Sequence, residues 1–193
     1  MVRALTERGD RVFLDLKFHD IPNTVATAVA AATQLGVWMV NVHAGGGSAM
    51  MRAARTAAHE AAATHHVTPP LVIAVTVLTS MNQAVLSETG VIIDLMDQVL
   101  RLAELTKDAE IDGVVASPRE TSAIRARCGP GFVIVTPGIR GGAAAAMKDD
   151  QERTMSPAEA MAAGATYLVV GRPIIAAQDP REAAERIASS LGG

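Results

Sequence analysis

The chain has 193 residues, 49% of them hydrophobic and 19% charged, enough apolar material for one packed domain and too much for a disordered chain. A formal charge of -3 and an aromatic content of 3% exclude the basic, ring-bearing surface that a nucleic-acid partner needs. No stretch reaches about 18 apolar residues without a charge, no signal-peptide core opens the chain, and the single Cys128 permits no internal disulfide, so the expectation is a soluble cytoplasmic protein with no membrane span.

Residues 1–10 read as the tail of a helix that leads through a Gly9-Asp10 turn into a first strand. Six short runs rich in Val, Ile and Leu then follow, at 12–17, 38–44, 71–77, 113–117, 132–137 and 167–171, and each predicts a buried parallel strand. Ala-rich segments with helical spacing lie between or after them, at 24–35, 48–64, 91–109, 119–126, 157–163 and 180–191. In the third helix of that series, Ile92, Leu95, Met96, Val99, Leu102 and Ala103 form one apolar stripe that predicts a face packed on the sheet. Alternation of this kind means an α/β fold.

The first strand carries the chemistry. Alternation puts Phe13, Asp15 and Lys17 on one face and Leu14, Leu16 and Phe18 on the other, so a carboxylate and an ammonium point the same way at the end of an apolar run. Burying two ions costs several kcal/mol each unless they are paired, which favours function, with a structural ion pair as the alternative use. Asp20 follows in the turn, Pro22 fixes the backbone, and Thr24 is the expected helix cap.

Polar residues recur where the other strands end: His43, then Thr79 and Ser80, then Ser117, Arg140 and Arg172. A parallel barrel collects its site from these C-terminal ends, whereas an open doubly wound sheet uses only its switch point, so the expected architecture is a (β/α)8 TIM barrel. That barrel needs eight units and six are visible, so the expectation is a single, incomplete barrel domain over 1–193, with two units preceding Met1 and Met1 not the natural start. Gly45-Gly46-Gly47-Ser48 lacks the lysine of a P-loop and reads as a tight strand-to-helix turn. His43 reads as a hydrogen-bonded core histidine and His65-His66 as part of a solvated loop, and no spacing predicts a metal site.

Asp15-x-Lys17-x-x-Asp20-Ile21-Pro22-Asn23-Thr24, Val135-Thr136-Pro137-Gly138-Ile139-Arg140, Asp150-Gln151 and Val170-Gly171-Arg172-Pro173 occur in this order and together resemble the bacterial orotidine 5'-phosphate decarboxylases over nearly the whole chain. The resemblance implies a homodimeric (β/α)8 lyase of pyrimidine biosynthesis that converts orotidine 5'-monophosphate to UMP and carbon dioxide without metal or organic cofactor. It makes Lys17 the proton donor to C6, sets Asp15 beside the departing carboxylate, and has Asp20 act across the dimer interface. A further lysine and a ribose-holding aspartate of the family pattern would lie before Met1.

The resemblance also assigns Arg140, Gln151, Gly171 and Arg172 to phosphate, and Ile21, Pro22, Asn23, Thr24 and Thr79, with Ser80 beside it, to substrate binding. A guanidinium beside a strand-end N–H suits a dianion, though a surface arginine is the alternative, as an ordinary helix N-cap is for Thr79. The Gly/Ala-rich stretch 141–147 is placed to close over a ligand. Two other readings stay open: a magnesium-dependent sugar-phosphate decarboxylase with the same Asp-x-Lys-x-x-Asp strand, disfavoured by Ile21-Pro22-Asn23-Thr24 and Asp150-Gln151, and an inactive barrel fragment.

Overall fold

The structure is a computed structural model and describes residues 1–139 and 155–191. Arg140, Asp150, Gln151 and the stretch 141–147 therefore lie outside the described residues. In chain order the elements are α1 (Val2–Thr6), β1 (Phe13–Phe18), α2 (Pro22–Thr33), β2 (Met39–His43), α3 (Gly47–His65), β3 (Leu71–Val75), α4 (Gln83–Glu88) and α5 (Leu95–Asp108). They continue with β4 (Gly113–Val115), α6 (Thr121–Cys128), β5 (Val133–Thr136), α7 (Pro157–Ala162), β6 (Tyr167–Leu168), α8 (Arg172–Ile175) and α9 (Pro180–Ser189). The chain forms two compact units, Met1–Thr76 with Arg101–Val114, and Val77–Leu100 with Val115–Gly193.

In the first unit β1, β2 and β3 pair in parallel and in chain order. The β2–β3 ladder is regular, from Met39 opposite Leu71 to His43 opposite Val75. Val40, Val42, Ile73 and Ala74 are fully buried, as strands covered on both faces require. Helices α2 and α3 pack against each other, and Val25, Val29 and Ala32 of α2 and Met50, Met51, Ala54 and Ala58 of α3 are buried. Each Val or Met so buried contributes about 1.5–3 kcal/mol, and the alanines let the helices approach closely.

The glycine run is the strand-to-helix turn that its composition predicts. Ala44–Gly46 form one 3-10 turn, and Gly47 opens α3 at φ 82°, a value that favours glycine. A Cβ on Gly46 would run into the Met50 side chain and come within 3.4 Å of His19 Cδ2, so the turn passes directly under that imidazole.

In the second unit β5 and β6 are parallel, with Val135 opposite Tyr167 and Thr136 opposite Leu168, and the Ala116 N–H donates to Val135 O at 3.1 Å. Ala116, Ile124, Ile134, Val135 and Ala160 form its buried apolar centre. The Arg125 side chain, from α6, donates to the carbonyls of Gly129, Pro130, Phe132 and Gly164 and to Thr166 Oγ1.

Several expectations change. Helix α2 starts at Pro22, whose fixed φ suits a first turn, so Thr24 lies inside the helix and does not cap it. Ile92 precedes α5 and is 89% exposed, so the buried stripe is Val99, Leu102 and Ala103. A short helix, α4, interrupts the polar stretch after β3, where the sequence pattern predicted none. β6 stops at Leu168, and Arg172 opens α8 instead of ending a strand. Leu16, expected inside, is 54% exposed.

Candidate active site

Strand β1 does not run straight to its end. Leu14 is opposite Val40 and Phe18 is opposite Val42, so four steps along β1 match two along β2 and the ladder bulges between them. Lys17 absorbs the excess at φ 50°, in the left-handed region that costs a residue with a side chain of order 1–3 kcal/mol. Simple alternation therefore fails here, although its chemical consequence survives. Lys17 Nζ lies 2.6 Å from Asp15 Oδ1, and the two side chains are 41% and 47% exposed. The pair is thus half-open to solvent and not the buried pair expected, which removes most of the desolvation cost.

Asn41 spans the bulge from β2, and the sequence pattern did not single it out. Its Nδ2 donates to Asp15 Oδ1 at 2.6 Å, and its Oδ1 accepts from the Lys17 backbone N–H at 2.7 Å. One neighbour is an acceptor and the other a donor, so the amide has a single satisfactory orientation. Only 1% of Asn41 is exposed. The signal available in the sequence was a lone carboxamide inside Met39-Val40-Asn41-Val42-His43.

Beyond Lys17 the chain turns through His19 and Asp20. The His19 ring stacks on His43, centroids 5.2 Å apart and planes at 28°. His43 is therefore a half-buried ring at the edge of the site and not a core residue. Burial lowers its pKa, His19 and Lys17 lower it further, and Asp15 opposes them. Asp20 Oδ1 accepts from its neighbour's N–H, that of Ile21, at 2.7 Å, which steadies the entry to α2. Ile21, Pro22, Asn23 and Thr24 are all exposed around that helix start.

The first unit thus brings Asp15, Lys17, Asn41, His19 and His43 together at the C-terminal ends of β1 and β2. Thr79, Ser80, Gly171 and Arg172 belong to the second unit. Thr79 and Ser80 lie in the turn after β3, and the N-cap of α4 is Asn82, whose side chain accepts from Val85 N, so capping is not their task. Gly171 precedes α8 and Arg172 opens it, both exposed. Among the described residues no group of three or more His, Cys, Asp or Glu is disposed to hold a metal ion, and no helix is long and apolar enough to cross a membrane.

An ammonium and a carboxylate held together at the end of a parallel strand, in an alternating strand–helix chain, form the kind of arrangement from which an α/β barrel builds acid–base chemistry. Residues 1–187 match the orotidine 5'-phosphate decarboxylase / HUMPS family. The orotidine 5'-phosphate decarboxylase of Moorella thermoacetica is 56% identical over 191 residues, covering 98% of this chain and 75% of that protein. That of Syntrophotalea carbinolica is 53% identical over 191 residues, covering 99% and 78%. The crystal structure of the Lactobacillus acidophilus enzyme superposes with a TM-score of 0.85 at 36% identity, over 100% of this chain and 80% of that one. This chain belongs to the orotidine 5'-phosphate decarboxylase / HUMPS family, and its fold class is the family's (β/α)8 barrel.

Proposed function

We propose that this chain converts orotidine 5'-monophosphate to UMP and carbon dioxide, with Lys17 as the acid. The observation that carries the reading is the Lys17 ammonium held 2.6 Å from Asp15 at the end of β1, within the run Asp15 to Thr24. When the C6–carboxylate bond breaks, its electron pair stays on C6, where no conjugated sink accepts it. An ammonium fixed beside that carbon stabilises the charge as it develops and then transfers a proton to C6, so that carbon dioxide leaves and UMP remains. Lys17 supplies that group, and Asp15 stands beside the departing carboxylate.

The 5'-phosphate goes to Arg172 and the Gly171 backbone with Arg140 and Gln151, since a guanidinium and a backbone N–H together suit a dianion. Ile21, Pro22, Asn23, Thr24, Thr79 and Ser80 contact the rest of the substrate, and two copies pair so that Asp20 serves the partner's site. The protein works as one domain in the cytoplasm, where its buried Cys128 stays reduced.

Lys17→Ala in the full-length protein tests the reading through loss of orotidine 5'-monophosphate absorbance. Turnover should fall by roughly 10²–10⁴-fold with the fold retained. Near-normal turnover would remove Lys17 from the role.

A further inference from the structure

We propose that Asn41 is the positioning residue of the Asp15/Lys17 pair, and that it acts by bridging the bulge in β1. The inference rests on the assignment of Lys17 as the acid. Without a bridge, two features of this corner are unstable by themselves. Lys17 sits at φ 50°, which an L side chain avoids, and its N–H faces a stretch where the β1–β2 ladder is broken. The Asn41 carboxamide answers both: Oδ1 takes the Lys17 N–H, and Nδ2 holds Asp15 Oδ1, the same oxygen that receives Lys17 Nζ.

The backbone and the carboxylate of the pair are therefore tied to one rigid group. That group stands in the middle of the regular β2–β3 ladder, opposite Ile73, and is almost wholly buried. Asp15 reaches the ammonium from a fixed side, and Nζ is aimed by where Asp15 is held. A carboxamide accepts at one atom and donates from another, so it reaches both partners here without adding charge. The other ionisable groups around this corner are Lys17 and Asp15 on β1, His19 in the following turn and His43 on β2.

Asn41→Asp separates the two functions. Its carboxylate still accepts from the Lys17 N–H, but it can only repel Asp15. When the two carboxyl groups share one proton, an O–H···O bond restores the lost donor, and like charges at this distance raise the pH at which that proton is held. Asn41→Ser, too short to span both partners and without a titrating group, is the reference.

At about pH 8 the kcat of Asn41→Asp should fall roughly a hundredfold while KM stays within about threefold, the pattern of a misplaced reacting group and not of lost binding. Measured as a ratio to the unsubstituted protein, so that titrations common to both proteins cancel, its kcat should recover at least about tenfold as the pH falls to about 5.5. The Asn41→Ser ratio should stay flat over the same range. Circular dichroism identifies the folded variants; should Asn41→Asp not fold, the kcat-against-KM split of Asn41→Ser decides. An unchanged kcat, a loss confined to KM, or an Asn41→Asp ratio independent of pH would overturn the positioning role. Turnover retained by Lys17→Ala would instead overturn the acid assignment, so the two failures are told apart.

Discussion

At His43 partial burial, the stacked His19 ring and the nearby Lys17 ammonium all disfavour the protonated imidazole, and Asp15 only partly offsets them. The folded pKa lies below the ordinary 6.5, so as the pH falls below 6.5 the unfolded chain takes up a proton before the folded one does. Stability therefore drops as the pH falls through 6.5 and on through the folded value, and His43 contributes no pH dependence well above 6.5, where both states are neutral. His43→Gln should flatten that acid-side slope by well under about 1 kcal/mol per pH unit, because a half-exposed group is screened. Urea unfolding at a series of pH values measures it; identical slopes for the two proteins would show that the ring does not titrate against the fold. The pairing of Asp15 with Lys17 was legible in the sequence because opposite charges two residues apart at the end of an apolar run have few structural uses. Asn41 was not, because a buried amide gains its meaning from a bulge that neither strand encodes alone.

Among the elements, α6 holds the N-terminal ends of β5 and β6 together through Arg125. Its guanidinium bonds Phe132 O just before β5, and Gly164 O and Thr166 Oγ1 just before β6. Gly164 takes φ 102° and a Cβ there would lie 3.0 Å from Arg125 Cγ, so the turn and the arginine fit only with glycine present. Arg125→Ala leaves several carbonyls without a charged donor and should cost about 2–4 kcal/mol of stability. Residues at the N-terminal ends of barrel strands support the fold and not the chemistry, so kcat/KM at a temperature where the variant is folded should stay within about twofold. A larger kinetic loss in folded Arg125→Ala would mean that this end of the strands reaches the site. The strands and long helices were readable because their apolar spacing is strong. Helix α4 was not, since Gln83–Glu88 offers only Leu86 to the interior and is set by the Asn82 cap. The early start of α2 was missed because Thr24 looked like a cap, whereas Pro22 at the first helical position and Asp20 on the Ile21 N–H had already fixed the turn.

For the whole molecule, the proposed exchange of Asp20 between two copies makes a claim that no single-subunit arrangement shares. Asp20 is exposed, and its carboxylate is oriented at the start of α2 by the Ile21 N–H, three residues beyond Lys17, the left-handed residue of the β1 bulge. If each site takes Lys17 from one copy and Asp20 from the other, the Lys17→Ala and Asp20→Ala homodimers both lack an essential group in every site. In the mixed dimer, one site receives both substitutions and the other receives neither. Random association makes half the dimers mixed, so co-expressed subunits should recover about a quarter of the unsubstituted activity. If Lys17 and Asp20 instead serve one site from the same copy, each site of the mixed dimer carries one defect and mixing recovers nothing. Sequential affinity capture on the two tags of differently tagged, co-expressed chains isolates the mixed species, and its rate of orotidine 5'-monophosphate consumption separates the two outcomes. A mixed dimer as inactive as its parents would return Asp20 to its own subunit and end the case for a shared site.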